Sequence, residues 1–288
     1  MEESFDILHS FGALFFLLLA CFLLLLAAAS LLLRGRSEKT RVTVLVTACL
    51  ITFVGFFVYK YFLSVDADYN RILTDQYVKE LTDAGTDPAE AVRLAAGKAG
   101  FNWWNELPFH LCNVNMILIP VGVLFKKRSI LGFCFFAAPL GALFALLLPA
   151  AGFDGYSIFL PRMLGYYFTH YMIVIEGLAI ATFGFYRPKF RDIPMNMLAT
   201  ACLSLGAFLI STLIRAARLS LDANYFFTYY HENISLLKLF YSLIPVPYLY
   251  LLPALLILAA YMGLVMGGFW LAGRGADKKN PGEGKEAV

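Results

Sequence analysis

Charge is scarce in this chain. Only 15% of its 288 residues are Asp, Glu, Lys or Arg, against 60% that are hydrophobic. A soluble domain carries about a quarter charged residues, so that class is excluded. The formal net charge of +3 is too small to point to nucleic acid. Cysteine is scarce too. The five cysteines form no CxxC pair and no Cys/His ligand spacing, so no structural zinc site is expected. Nor is a disulfide framework expected in the loops. No internal repeat and no pair of broken helices is visible, which argues against common transporter architectures. The first apolar run follows acidic residues (Glu2, Glu3, Asp6) and outruns an h-region, so it reads as a span and not as a cleavable leader.

What the chain has is long apolar runs. Several reach about 20 residues, enough to cross a hydrocarbon core roughly 30 Å thick. Seven spans are expected near Ser10–Leu33, Arg41–Leu63, Leu107–Phe125, Ser129–Pro149, Leu160–Phe185, Ile193–Ile214 and Pro247–Ala272. The expected fold is all-α: one polytopic transmembrane bundle over 1–272, followed by a disordered cytoplasmic tail, 273–288. Basic residues cluster in alternate connections: Arg34, Arg36, Lys39 and Arg41; Lys126, Lys127 and Arg128; Arg187, Lys189 and Arg191; Arg274, Lys278, Lys279 and Lys285. By the positive-inside rule these are cytoplasmic, which puts the N-terminus outside a multi-pass protein of the cell membrane.

Two outer-side loops are long. In 64–106, short helices are expected over Asp75–Asp83 and Pro88–Lys98, with Asp87-Pro88 as the start of the second. The loop reads as a solvated connector or as a lid, and Trp103 and Trp104 belong to an interfacial belt. Loop 216–246 is aromatic, with Asn224, Tyr225, Phe226, Phe227, Tyr229 and Tyr230, and should lie against the bundle. Asn233-Ile234-Ser235 matches a glycosylation sequon.

Against this apolar background stands His110-Leu111-Cys112-Asn113, at the head of the third span. Ionisable or nucleophilic groups at that depth are expensive, so function is the first hypothesis for them. Cys21, Cys49, Cys134 and Cys202 lie in apolar spans and read as small hydrophobes. On a regular helix, His110 and Cys112 stand about 200° apart. A base for the thiol must then come from another helix. The fifth span offers one, because Arg162, Tyr166 and His170 recur at i, i+4 and i+8 and form one polar stripe. His170 is expected one or two turns deeper than Cys112. Glu176 is deeper still, off that stripe.

The segment Leu107-Pro108-Phe109-His110-Leu111-Cys112 resembles the Leu-Pro-x-His-Leu-Cys signature of the YwaF-like bacterial integral membrane proteins. Phe168-Thr169-His170, Gly184-Phe185-Tyr186-Arg187-Pro188, Asn224-Tyr225-Phe226-Phe227 and Pro245-Val246-Pro247 resemble further motifs of that family. The likeness covers about Leu107 to Leu252. It extends to a vertebrate transmembrane ether-phospholipid acyltransferase and, distantly, to the androgen-induced transmembrane hydrolases. The resemblance implies lipid acyl transfer without a cofactor or a metal, with Cys112 as nucleophile and His170 as general base. His110 and Asn113 would orient substrate or help hold an oxyanion. Membrane phospholipids would be both substrate and solvent. Arg162 is a candidate for bidentate phosphate binding, or a snorkelling residue. Asn224 and Tyr225 would cover the mouth of the site. Two other readings stay open: a proton or small-solute transporter, and a haem protein with His110 and His170 as axial ligands.

Overall fold

The computed structural model describes residues 6–83, 85–96, 100–150, 152–232 and 234–279. The helices are α1 (Ala13–Leu32), α2 (Glu38–Val65), α3 (Ala67–Asp83), α4 (Pro88–Ala96), α5 (Asn115–Leu124), α6 (Arg128–Leu147), α7 (Pro161–Thr182), α8 (Ile193–Ala216), α9 (Ser235–Leu243) and α10 (Leu252–Lys279). Among the described residues six helices are long and apolar enough to span a membrane: α1, α2, α6, α7, α8 and α10.

The expected third span is different. Its helix, α5, has only 10 residues, about 15 Å, half of a hydrocarbon core. Pro108 sits in a bend ahead of the helix. There the Phe109 N–H turns back to the Leu107 carbonyl at 2.7 Å. His110–Val114 follow as turns, and the helix begins only at Asn115.

Local chemistry explains the other boundaries. Ser37 caps α2 by accepting from Thr40 N at 3.2 Å. Asp66 ends α2 and at once starts α3, because its carboxylate accepts from the Tyr69 N–H at 2.9 Å. That cap is why α3 begins at Ala67, ahead of the expected Asp75. Pro161 opens α7 in its first turn. Gly184, at φ 82°, closes α7 with Phe185 N bonded back to Ile180 O at 2.9 Å. α10 is helical through Lys279, over the first residues of the expected tail. The rest of that tail, 280–288, lies outside the described residues, as do Asn233 of the sequon and Lys98 of the second loop helix. A short pair, β1 (Ile7–Leu8) with β2 (Tyr156–Ser157), ties the start of the chain to the turn before α7.

α7 is the axis of the bundle. Its apolar window is 72% buried, against 11% for α1, 17% for α8 and 22% for α10. α2, α5 and α6 surround it. Close approach is made possible by glycine. A Cβ at Gly165 would lie 2.0 Å from Tyr59 Cβ, and one at Gly177 would lie 2.6 Å from Pro139 Cδ. α1, α8 and α10 turn rows of exposed leucine outward, including Leu24, Leu31, Leu213, Leu256 and Leu264. Such surface belongs in lipid.

Candidate active site

The irregular segment 107–114 drops the head of the third span into the bundle, beside α7. Cys112 thereby reaches the level of His170, about 13 Å along α7 from Pro161. The depth mismatch expected from two regular helices is absent because one of them has not yet begun. Gly141 of α6 makes room: a Cβ there would lie 3.4 Å from the Cys112 nitrogen.

The Cys112 sulfur lies 3.8 Å from Nε2 of His170 and 3.5 Å from Oδ1 of Asn113. Cys112 and His170 are 9% and 5% exposed, so neither contact is diluted by bulk water. The other imidazole nitrogen, Nδ1, lies 2.8 Å from the Tyr166 carbonyl. A carbonyl only accepts, so Nδ1 carries the proton and Nε2 presents its lone pair to the thiol. That is the tautomer a general base needs.

The stripe on α7 is real, and it is occupied. Tyr166 stacks at 4.3 Å on both His170 and Phe153, and its hydroxyl donates to the Ala145 carbonyl at 2.6 Å. Arg162 is 3% exposed. It donates to Asp66 at 2.7 Å and to the Gly152 carbonyl at 3.2 Å. The guanidinium therefore neither snorkels nor stands open for a phosphate; it fastens the α2–α3 junction to α7. Asp66 lies outside the spans. Burial alone would raise its carboxyl, but the Tyr69 N–H and Arg162 hold it below the usual carboxylate value.

His110 meets the aromatic loop. Its ring meets Tyr225 at 5.2 Å and Phe227 at 5.9 Å. Tyr225 is fully buried, packs on Phe109 at 5.4 Å and donates its hydroxyl to the Trp104 carbonyl. The aromatic loop thus roofs the 107–114 segment. Asn224 builds that roof from within. Its side chain donates to the Tyr230 carbonyl at 2.9 Å and Glu232 at 2.8 Å, and accepts from Tyr229 N at 2.8 Å. Asn224, expected at the mouth of the site, thus makes its bonds within the loop itself. Phe226 and Phe227 pay for the tight roof with left-handed backbones, both at φ 57°.

Sequence reasoning missed Lys60 and Glu106. They form a close ion pair, with side chains 10% and 23% exposed, at the wall of the site. Lys60 is an electrostatic neighbour of Cys112, His110 and His170. The signal was present: one lysine inside an otherwise uncharged run from 42 to 65. Beside the site, Asn115 Oδ1 and Thr169 Oγ1 are buried with no hydrogen-bond partner in the protein. Deeper on α7, Glu176 accepts from Thr52 at 2.5 Å through one oxygen, while the other has no partner.

The haem reading does not fit this arrangement. Nδ1 of His170 is engaged by a backbone carbonyl and Nε2 faces a thiol, so no nitrogen of that ring is open to iron. Among the described residues no cluster of His, Cys, Asp or Glu could hold a metal ion.

Six membrane-length helices among the described residues, one of them the buried α7, define a multi-pass helical membrane protein. The chain belongs to the TMEM164 family, whose family model matches residues 5–266. No curated protein and no solved structure matches the chain.

Proposed function

We propose that this protein is a lipid acyltransferase, or lipid ester hydrolase, that works through an acyl thioester on Cys112. The observation that carries the reading is the 3.8 Å approach of the Cys112 sulfur to the unprotonated Nε2 of His170. A thiol is the side chain most easily activated near neutral pH, and an adjacent base activates it further.

The chemistry closes on these two residues. Nε2 takes the thiol proton, the sulfur attacks the ester carbonyl carbon, and a C–S bond forms as the C–O bond breaks. The departing alkoxide takes the proton back from Nε2. An acceptor hydroxyl, or water, then gives its proton to Nε2 and attacks the thioester carbon. The C–S bond breaks and the sulfur recovers the proton. The backbone amides of Cys112 and Asn113, for which the turn provides no acceptor, are candidates for an oxyanion site. His110 serves as a wall that holds the aromatic roof, and Arg162 and Asn224 shape the site without touching substrate. The pole carrying Cys112 faces outward, with the C-terminus in the cytoplasm. A C-terminal reporter active outside the cytoplasm would reverse that orientation.

Acyl-chain probes test the mechanism. Membranes holding the full chain, fed an alkynyl phospholipid, should yield a hydroxylamine-labile label on Cys112 that Cys112→Ala lacks. Undiminished lipid remodelling by the Cys112→Ala protein, against empty membranes, would sink the proposal.

A second reading, passage of a proton or small solute, is favoured by one observation: Glu176 is 2% exposed with one oxygen unpartnered. Loss of transport-linked acidification in Glu176→Gln liposomes, with lipid remodelling intact, would favour it.

A further inference from the structure

The basic pole, away from Cys112, holds a feature that the acyl-transfer reading does not use. The ends of α1 and α7 and the first turn of α2 enclose a cavity of about 360 Å³. That is within the size range of small-ligand sites, roughly 300–1,000 Å³. It lies about 18 Å along α7 from His170. Ser30, Arg34, Arg41, Thr182, Phe183 and Gly184 line it.

Arg41 is held in place and left with an unused donor. Its Nη1 donates to the Phe183 carbonyl at 2.5 Å, and its guanidinium lies 5.9 Å from the Phe185 ring centre. Its Nε is buried with no partner. Gly184 permits this seat, since a Cβ there would lie 3.1 Å from Nη1. Arg34 is exposed at the same cavity. Among the described residues no carboxylate forms an ion pair with either arginine. Glu38, an electrostatic neighbour of Arg41, is engaged by Lys126 at 2.7 Å.

A buried charged donor without an acceptor is costly, and an anion removes that cost. The carbonyl ends of α1 and α7 oppose an anion, and the N-terminal turn of α2 favours one. Two guanidinium groups, each with a planar fork suited to phosphate, decide the sign. Leu31 and Leu32, 69% and 75% exposed, continue the α1 wall as apolar surface on which acyl chains can lie.

We infer that this cavity is a phosphate site, and that it takes the headgroup phosphate of a membrane phospholipid between Arg34 and Arg41. The full-length protein is purified in detergent, and retained lipid is measured by native mass spectrometry. The probes are phosphatidic acid and diacylglycerol with the same acyl chains, with and without millimolar inorganic phosphate. Phosphatidic acid should be held about tenfold or more tightly than diacylglycerol, a margin typical of hydrogen bonds to a charged group. Arg34→Gln and Arg41→Gln should remove that margin, and Lys39→Gln, an exposed charge outside the cavity, should keep it. Arg41→Gln also removes the bond to α7 and can unsettle the fold; Arg34→Gln is at the surface and carries the test alone. Displacement of the lipid by inorganic phosphate, sensitive to Arg34→Gln, would keep the phosphate site and assign it to free phosphate. Equal retention of the two lipids, wild-type binding in Arg34→Gln, or an equal loss in Lys39→Gln would overturn the inference.

Discussion

The Nδ1 nitrogen of His170 lies 2.8 Å from the carbonyl of Tyr166, one helical turn behind it. That bond fixes the imidazole tautomer and turns Nε2 toward Cys112. An intrahelical contact, set by the spacing of two residues on α7, thus prepares a contact between two segments of the chain.

If Cys112 and His170 act as a unit, removing one disables the other. Cys112→Ser and His170→Ala should each lower acyl transfer by about 10²- to 10⁴-fold, the usual worth of a positioned acid–base group. The double variant should lose little more. Replacing Cys21, Cys49, Cys134 and Cys202 together by alanine should keep the hydroxylamine-labile label on the protein. Multiplying losses in the double variant would separate the two roles.

Lys60 and Glu106 should behave asymmetrically. Lys60→Met leaves a part-buried carboxylate unpaired, which costs about 3–5 kcal/mol when the burial is complete and less here. The combined Lys60→Met/Glu106→Leu variant should regain most of the lost melting temperature in detergent. A double variant as unstable as the single one would mean that the pair serves by its charges and not by mutual neutralisation.

Packing between α2 and α7 depends on the missing side chain of Gly165. Gly165→Ala places a Cβ where Tyr59 Cβ already lies, and neither atom is on a flexible tip. The helices must part, at a cost of about 1–3 kcal/mol or more. Gly206→Ala on α8 meets nothing within 4 Å and should leave the melting temperature unchanged or slightly raised. Thermal melts of the two variants side by side check this.

Asp66 sets an acid limit on the fold. Its carboxyl is held below the usual value by the Tyr69 N–H and Arg162, against the opposing effect of burial. A depressed pKa contributes stability above the unfolded value, about 3.9, that is lost as pH falls through the folded one. Wild-type protein should therefore melt higher than Asp66→Asn at pH 6, and the gap should close as pH falls toward 3. A gap that stays constant would remove Asp66 as the source.

Hydropathy revealed the spans because lipid demands about 20 apolar residues and closed backbone hydrogen bonds, and both leave a direct mark on the chain. The polar stripe on α7 was legible for the same kind of reason, helical periodicity. What periodicity could not give was the segment 107–114, where no regular turn governs direction. Arg162 looked like a ligand contact because its partner, Asp66, is brought near by a turn that leaves no periodic signal. Lys60 was passed over because one charge scarcely changes the mean of a long apolar window.

The small ladder between Ile7–Leu8 and Tyr156–Ser157 sets a schedule for biogenesis. Its two halves lie about 150 residues apart in the chain, so the first waits roughly 10–30 s for the second at ordinary elongation rates. Through that interval the leading strand has no mate, and the turn that precedes α7 has not been made. Assembly around α7 is therefore latched by a strand made well before it, and only after the turn that precedes α7 has emerged.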